Sequence, residues 1–292
     1  MSRPRMLGIL LCYNDGDLLP ESITHLLENH HDIVLWDHGS TDETQEVIER
    51  FRPHLVEVQR IPREFDFYGL YPAMSHHIIE KYMPVYDWIS WPDQDESLEG
   101  PDRLQPYWAY IQDVYESPYD WVRFNNFNYW FTAADDPRLA LTCNRVRYYA
   151  IFPDCAPRIR AWRASSTNER IFNHNPPLGR EYPVRFNLRH YPMRSKEQMI
   201  NRIAHDRAGL QRGQENYHYN YMLEHIDDLY IPASELHYDD RVSELNHAPI
   251  FNWRRVYGSP PSPEKTRPQI VKRTQSTLEY LQDKIFRPFR KL

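Results

Sequence analysis

Glycine is scarce in this chain of 292 residues, with only 9 in all, and no glycine-rich stretch follows the first apolar run. A phosphate-cradling glycine loop at that point is therefore excluded. Cysteine is equally thin. Cys12, Cys143 and Cys155 are too few and too scattered for a disulfide framework or a zinc knuckle, and a reducing cytoplasm is the simplest home. No stretch approaches 18 consecutive apolar residues, so no helical membrane span is expected. The run Met6 to Cys12 (MLGILLC) breaks at polar residues without a small-residue cleavage site and reads as a strand, not a signal peptide. An excess of positive charge is also missing. Lys and Arg number 35 against 41 Asp and Glu, giving a net charge of −6, which argues against nucleic acid as a partner. Internal repeats and low-complexity tracts are absent.

What remains is a globular composition, 41% hydrophobic and 26% charged, in a chain long enough to bury its own core. Proline (24), tyrosine (21) and tryptophan (8) are plentiful. Aromatic-rich segments line carbohydrate sites and also fill ordinary cores, and composition does not choose between the two.

Strand and helix signals alternate through the first hundred residues. Met6 to Cys12 reads as a strand covered on both faces. Leu18, Ile23, Leu26 and Leu27 mark an amphipathic helix after Asp17. Asp32 to Trp36 is a second buried strand ending at Asp37. Ser40 and Glu43 have capping-box spacing for the helix that follows. Val56 to Ile61 and Tyr86 to Trp91 are further strands. This rhythm predicts an α/β fold around a mostly parallel sheet, whose ligands gather outside the carboxyl ends of the strands. Asp37 and the pair Asp93 and Asp95 lie at such ends.

Beyond residue 100 a helix is expected over Leu104 to Tyr115, and strands over Trp121 to Phe131, Val146 to Phe152 and Arg158 to Arg163. Ser195 and Gln198 form a second capping-box pattern, opening a helix to about Leu210. The expected organisation is a domain over 1–258, with a nucleotide half (1–100) and an acceptor half (101–258). A proline-rich connection and a basic C-terminal helix fill 259–292. From residue 264 that end carries eight Lys/Arg against three Asp/Glu. It suits either an anionic membrane surface or a helix packed on the domain.

Asp93-Gln94-Asp95-Glu96 is the sharpest chemical signal. Two carboxylates one residue apart, just past a strand, can face one divalent ion. D-x-D also occurs by chance in solvated turns, and the second acid at a neighbouring strand end, Asp37, is what favours function.

These segments resemble glycosyltransferase family 2, with its GT-A nucleotide-sugar fold, over roughly residues 5 to 100. Tyr13-Asn14-Asp15 is similar to the family's opening loop. Asp37-His38-Gly39-Ser40-Thr41-Asp42-Glu43-Thr44 is similar to its D-x-x-S-x-D-x-T signature, and Trp91-Pro92-Asp93-Gln94-Asp95-Glu96 to its metal-binding D-x-D segment. Phe124 to Asp136 and Arg189 to Ser195 are similar to segments of a bacterial branch of the same superfamily. The resemblance implies a GT-A-like, Rossmann-like sheet flanked by helices, with an acceptor-side extension. It implies an inverting, metal-dependent transfer from a nucleotide-diphosphate sugar to a hydroxyl of a glycan or lipid-linked glycan.

Carried onto this chain, Asn14 and Asp37 meet the nucleotide. Asp95 binds Mn²⁺ or Mg²⁺, and Asp93 holds ribose or the metal and its water. Asp42, just inside a helix start, reads instead as a cap. His190 is a third metal ligand, with His174 a competitor for that place. Arg189 and Arg194 suit diphosphate oxygens. An inverting enzyme needs one carboxylate as base. The family's Glu-Asp pair is not recognisable here. Of Asp135, Asp136, Asp154 and Glu169, the first two are favoured because they follow an aromatic strand. Trp91, Tyr129 and Trp130 either stack on an acceptor sugar or pack the core, and His218 with His225 reads as structural. Two other functions fit the same outline, a nucleotidyltransferase of related fold and a carbohydrate-binding domain that has lost its chemistry. The site and the absence of a membrane span place the protein in the cytoplasm or at the inner face of a membrane.

Overall fold

The computed structural model describes residues 3–65, 67–136, 138–139, 142–152, 158–167, 177–202, 221–222, 224–225 and 230–258. The connection and basic helix expected over 259–292, the helix from 203 to Leu210, and Asp154, Glu169, His174 and His218 lie outside the described residues.

Four parallel strands form the nucleotide half: β1 (Met6–Cys12), β2 (His31–Asp37), β3 (Leu55–Arg60) and β4 (Trp88–Ser90), in the order β4-β1-β2-β3. β1 is apolar throughout because helices cover both of its faces. Leu7, Ile9 and Leu11 join Val34, Trp36 and the residues Leu70, Met74 and Ile78 of α3 (Phe67–Lys81). Leu10 and Cys12 point the other way, onto α1 (Leu19–Glu28) and α2 (Thr44–Phe51) through Leu19, Ile23, Val47 and Ile48. Successive side chains on a strand alternate faces, so one run supplies two core layers. Each such side chain contributes roughly 1.5–3 kcal/mol on burial.

The sheet continues through β8 (Arg158–Arg163), antiparallel to β4, into the long β6 (Trp121–Trp130), then β7 (Tyr148–Ile151) and β10 (His237–Tyr238). Because β8 is antiparallel to both neighbours, β6 runs parallel to β4, and its carboxyl end leaves the sheet at the same edge. The later part of β6 pairs with β9 (Phe186–Met193), which pairs in turn with β5 (Glu96–Glu99). α4 (Tyr107–Glu116) covers this half with Tyr107, Ile111 and Val114 against Trp88, Phe124 and Phe186. The result is the α/β architecture expected, a mixed sheet with a parallel core and flanking helices. Among the described residues, no helix is long and apolar enough to cross a membrane.

Candidate active site

The carboxyl ends of β1, β2 and β4 form one edge. After β1, Asn14 adopts φ +51°, a conformation Asn tolerates better than most residues. Its N–H donates to Ser40 Oγ (2.9 Å), and its Oδ1 accepts from the Thr41 N–H (2.8 Å). The neighbouring Gly16 donates to Asp42 Oδ2 (3.2 Å), and a Cβ there would lie 2.8 Å from the Thr44 nitrogen. The loop after β1 thus lies directly on the start of α2. Asp42 also accepts the Thr44 N–H (3.1 Å), the capping role read for it. The capping box expected from Ser40 and Glu43 does not form. Glu43 is the N-cap without a side-chain bond, because the Ser40 hydroxyl serves Asn14 instead.

Asp37 is fully buried. It accepts the Ser40 N–H (3.0 Å) and Gln45 Nε2 (2.6 Å), with Arg60 at 3.7 Å. Beside it, Arg63 lies 4.2 Å above the Tyr13 ring and 3.1 Å from His38 Nδ1.

The turn after β4 carries the acidic cluster, and the structure divides it in two. Asp93 turns toward Arg160 of β8, whose Nη2 donates to its Oδ2 (2.6 Å), and toward the Tyr71 hydroxyl (3.2 Å). Arg160 also forks onto Glu96, whose Oε2 in turn accepts the Asp93 N–H (2.9 Å). Burial works against the Arg160 charge, but Asp93 and Glu96 outweigh it and raise its pKa. Burial likewise raises the Tyr71 hydroxyl, and Asp93 adds to the shift.

Asp95 belongs to the other half. Its backbone oxygen accepts the Tyr191 N–H of β9 (2.8 Å), and its carboxylate is 1% exposed. Both His190 Nε2 (3.5 Å) and Arg202 Nη1 (2.8 Å) face the same oxygen, Oδ2. Burial alone would raise its pKa; His190 and Arg202 reverse that and hold the carboxyl well below the usual range. The register that pairs Glu96 with His190, and His190 with Asn128, brings these groups together. His190 Nδ1 lies 2.7 Å from Asn128 Oδ1. A carboxamide oxygen only accepts, so Nδ1 carries the proton and Nε2 faces Asp95.

The expected triad of Asp93, Asp95 and His190 is thus not assembled. Asp95 and His190 meet, whereas Asp93 is drawn away because a buried guanidinium needs counter-charge. Among the described residues, no three His, Cys, Asp or Glu side chains converge to hold an ion.

Arg194 differs from its expected diphosphate role. It is 2% exposed and bonds Asp17 with Nε and Nη2, both at 2.8 Å, with Asp15 at 3.3 Å. Its fork is committed to two acids. Asp15 is pushed up to about 6, by burial first and by nearby Asp95, against the pull of Arg194. Arg189, the other arginine read for diphosphate, pairs with Glu99 (2.8 Å).

Asp135 and Asp136 follow β6. Asp135 Oδ2 accepts the Thr132 N–H, and Asp135 Oδ1 is buried with no hydrogen-bond partner among the described residues; burial raises this carboxyl. Asp136 pairs with Arg138 (2.7 Å), which lowers it. Tyr129 and Trp130 are fully buried and Trp91 nearly so, which makes them core residues and not a sugar platform. His225 stacks on Tyr221, 4.1 Å between ring centroids.

Arg160, Arg202, Tyr71 and Asp17 were not foreseen from the sequence, and Asp15 was seen only as part of the opening loop. Arg160 alone carried a visible signal, an arginine inside an otherwise apolar strand (RIRAWR), which must find acids.

A family model described as glycosyl transferase family 2 matches residues 9–197. The chain is also similar to the PGL/p-HBAD biosynthesis glycosyltransferase of Mycobacterium bovis (strain BCG / Pasteur 1173P2) and to the protein of that name from Mycobacterium tuberculosis (strain ATCC 25177 / H37Ra). Each is 30% identical over 199 residues, covering 62% of this chain and 75% of the relative. Among solved structures, S. aureus TarS matches with a TM-score of 0.35 and 12% identity. The match covers 77% of this chain and 43% of TarS, so this chain spans less than half of that protein.

Proposed function

We propose, from the premise that this chain belongs to glycosyltransferase family 2, that its Asp95–His190 edge holds the diphosphate of a nucleotide-sugar donor together with a divalent ion. The chain is a nucleotide-sugar-dependent glycosyltransferase. Family membership sets aside the nucleotidyltransferase reading. Metal dependence, inversion and the acceptor are the proposal.

One observation carries it. His190 Nδ1 lies 2.7 Å from Asn128 Oδ1, and its Nε2 lies 3.5 Å from Oδ2 of the buried Asp95, so an imidazole and a carboxylate meet at this edge of the sheet. Imidazole nitrogen and carboxylate oxygen are the donor types that Mn²⁺ takes. Mn²⁺ and Mg²⁺ are commonly held by one or two protein groups, with substrate phosphates and water supplying the rest, so a full protein cage is not needed. Asp95 and His190 fit that donor set. When bound, such an ion offsets charge on the departing nucleoside diphosphate.

The remaining roles fall to the chain. Asp37 accepts a hydrogen bond from nucleobase or ribose, since Ser40 and Gln45 use only part of its lone-pair capacity. Asn14 and Asp42 lock the two loops that frame the nucleotide, and the Arg160 fork fixes Asp93. Asp135 takes the proton of the acceptor hydroxyl as it attacks the anomeric carbon in line. Its raised carboxyl favours it over Asp136, which Arg138 neutralises. The acceptor is a glycan or a lipid-linked glycan, in keeping with the basic composition of residues 264–292 and work at the cytoplasmic face of a membrane.

Thermal shift against UDP, GDP, dTDP and CMP, each with and without Mn²⁺, tests this reading. A ligand at about 100 times its Kd adds roughly 2.7 kcal/mol of stability. A shift with one nucleotide that needs Mn²⁺ is expected. A shift of equal size without the ion would contradict the metal role.

A further inference from the structure

Asp95 already has a cation. The helix beginning at residue 196 brings Arg202 over β9, where Nη1 donates both to Asp95 Oδ2 (2.8 Å) and to the Pro192 carbonyl (3.0 Å). The oxygen it occupies is the one His190 Nε2 faces. The carboxylate is sealed from water at 1% exposure, while the Arg202 side chain is 29% exposed and sits at the rim. A buried carboxylate cannot stand alone without a large desolvation cost. A part-exposed arginine at the rim can turn away, whereas Asp95, whose backbone oxygen is tied to the Tyr191 N–H, and His190 on β9 are held in place.

We propose that Arg202 is a resident counter-cation which a divalent ion must displace from Asp95, so that guanidinium and metal occupy the Asp95–His190 pair in alternation. This deepens the metal reading above and rests on it. Displacement makes the ion's apparent affinity weaker than the bare pair would give, by the free energy of the Arg202–Asp95 contact.

The test is Mn²⁺ binding to the full chain without nucleotide, followed by electron paramagnetic resonance of the free ion. Wild type, R202M and R202K are compared, each alone and combined with D95N. R202M is expected to bind Mn²⁺ roughly tenfold more tightly than wild type, the lower end of couplings measured for close charge pairs. R202K, which keeps the charge, should stay near wild type. D95N should abolish the site in every background. Without metal, R202M should melt below wild type, and saturating Mn²⁺ should restore it by a larger shift. Binding that depends on Asp95 but is equal or weaker in R202M overturns the displacement while sparing the metal reading. No binding that depends on Asp95 in either protein overturns both.

Discussion

Arg160 lies in the middle of a buried strand and joins Asp93 of the β4–β5 turn to Glu96 at the start of β5, so its removal would take the guanidinium fork from buried Glu96 and leave it the more distant Arg158 at 3.8 Å. Breaking a buried pair costs about 3–5 kcal/mol, most of it the penalty on the partner left behind. R160M should lose stability of that order in urea unfolding, and R160M/E96L should recover much of it. A loss under about 1 kcal/mol in R160M would contradict the assignment. The catalytic prediction concerns the two acids after β6. D135N should lower the transfer rate by at least about 100-fold, the scale of general-base catalysis, whereas D136N should stay within about twofold. Initial rates with a fixed donor check this. The base works ionised and burial raises Asp135, so the acid limb of the rate–pH profile should lie above the ordinary aspartate range near 3.9. At this scale the sequence exposed Asp37, Asp93 and Asp95, because acids that end an apolar run are conspicuous. It hid their partners. Arg160 lies 67 residues from Asp93 and Arg202 107 from Asp95, and only the tertiary fold joins them.

The helix that begins after Ser195 carries Arg202, and its start is a cap legible in the sequence. Ser195 Oγ accepts the Gln198 N–H (3.1 Å), while Gln198 Oε1 reaches back to the Arg194 N–H (3.0 Å). S195A should cost about 1 kcal/mol, the usual price of losing such a cap, measured by chemical denaturation; an unchanged midpoint would show that the cap is idle. Strands covered on both faces, β1 and β2, announced themselves as continuous apolar runs, and β8 was found at its full length. Several elements stayed hidden, α3 and β9 among them. α3 contains Pro72 three residues after Gly69, which together read as a breaker although the helix continues through them. β9 carries Arg189, His190 and Pro192, polar and proline residues that disguise a buried strand. Its pairing with β5 and β6 is what assembles the site.

Across the whole molecule, buried acids set opposing responses to pH. Glu57 takes bonds from His77, Lys81 and Tyr82. Burial would raise its carboxyl, but those donors bring it down to about 2 from 4.5. A lowered folded pKa contributes stability above about pH 4.5 that is lost as pH falls toward 2. Asp15 is raised to about 6 from 3.8, so its contribution grows as pH falls through that window. The difference in melting temperature between wild type and E57Q should therefore be constant above about pH 5 and shrink steadily below it; a difference that widened on acidification would contradict the Glu57 assignment. The central claim is that the edge around Asp95 grips donor diphosphate through a divalent ion. It is tested most directly by release of nucleoside diphosphate from a panel of UDP-, GDP- and dTDP-sugars, using wild type and D95N, with Mn²⁺ or with chelator. The account predicts that one donor is consumed by wild type with Mn²⁺, and that chelation or D95N abolishes this while the folded circular-dichroism spectrum persists. Release that continues at the same rate in D95N, or under chelation, would contradict it.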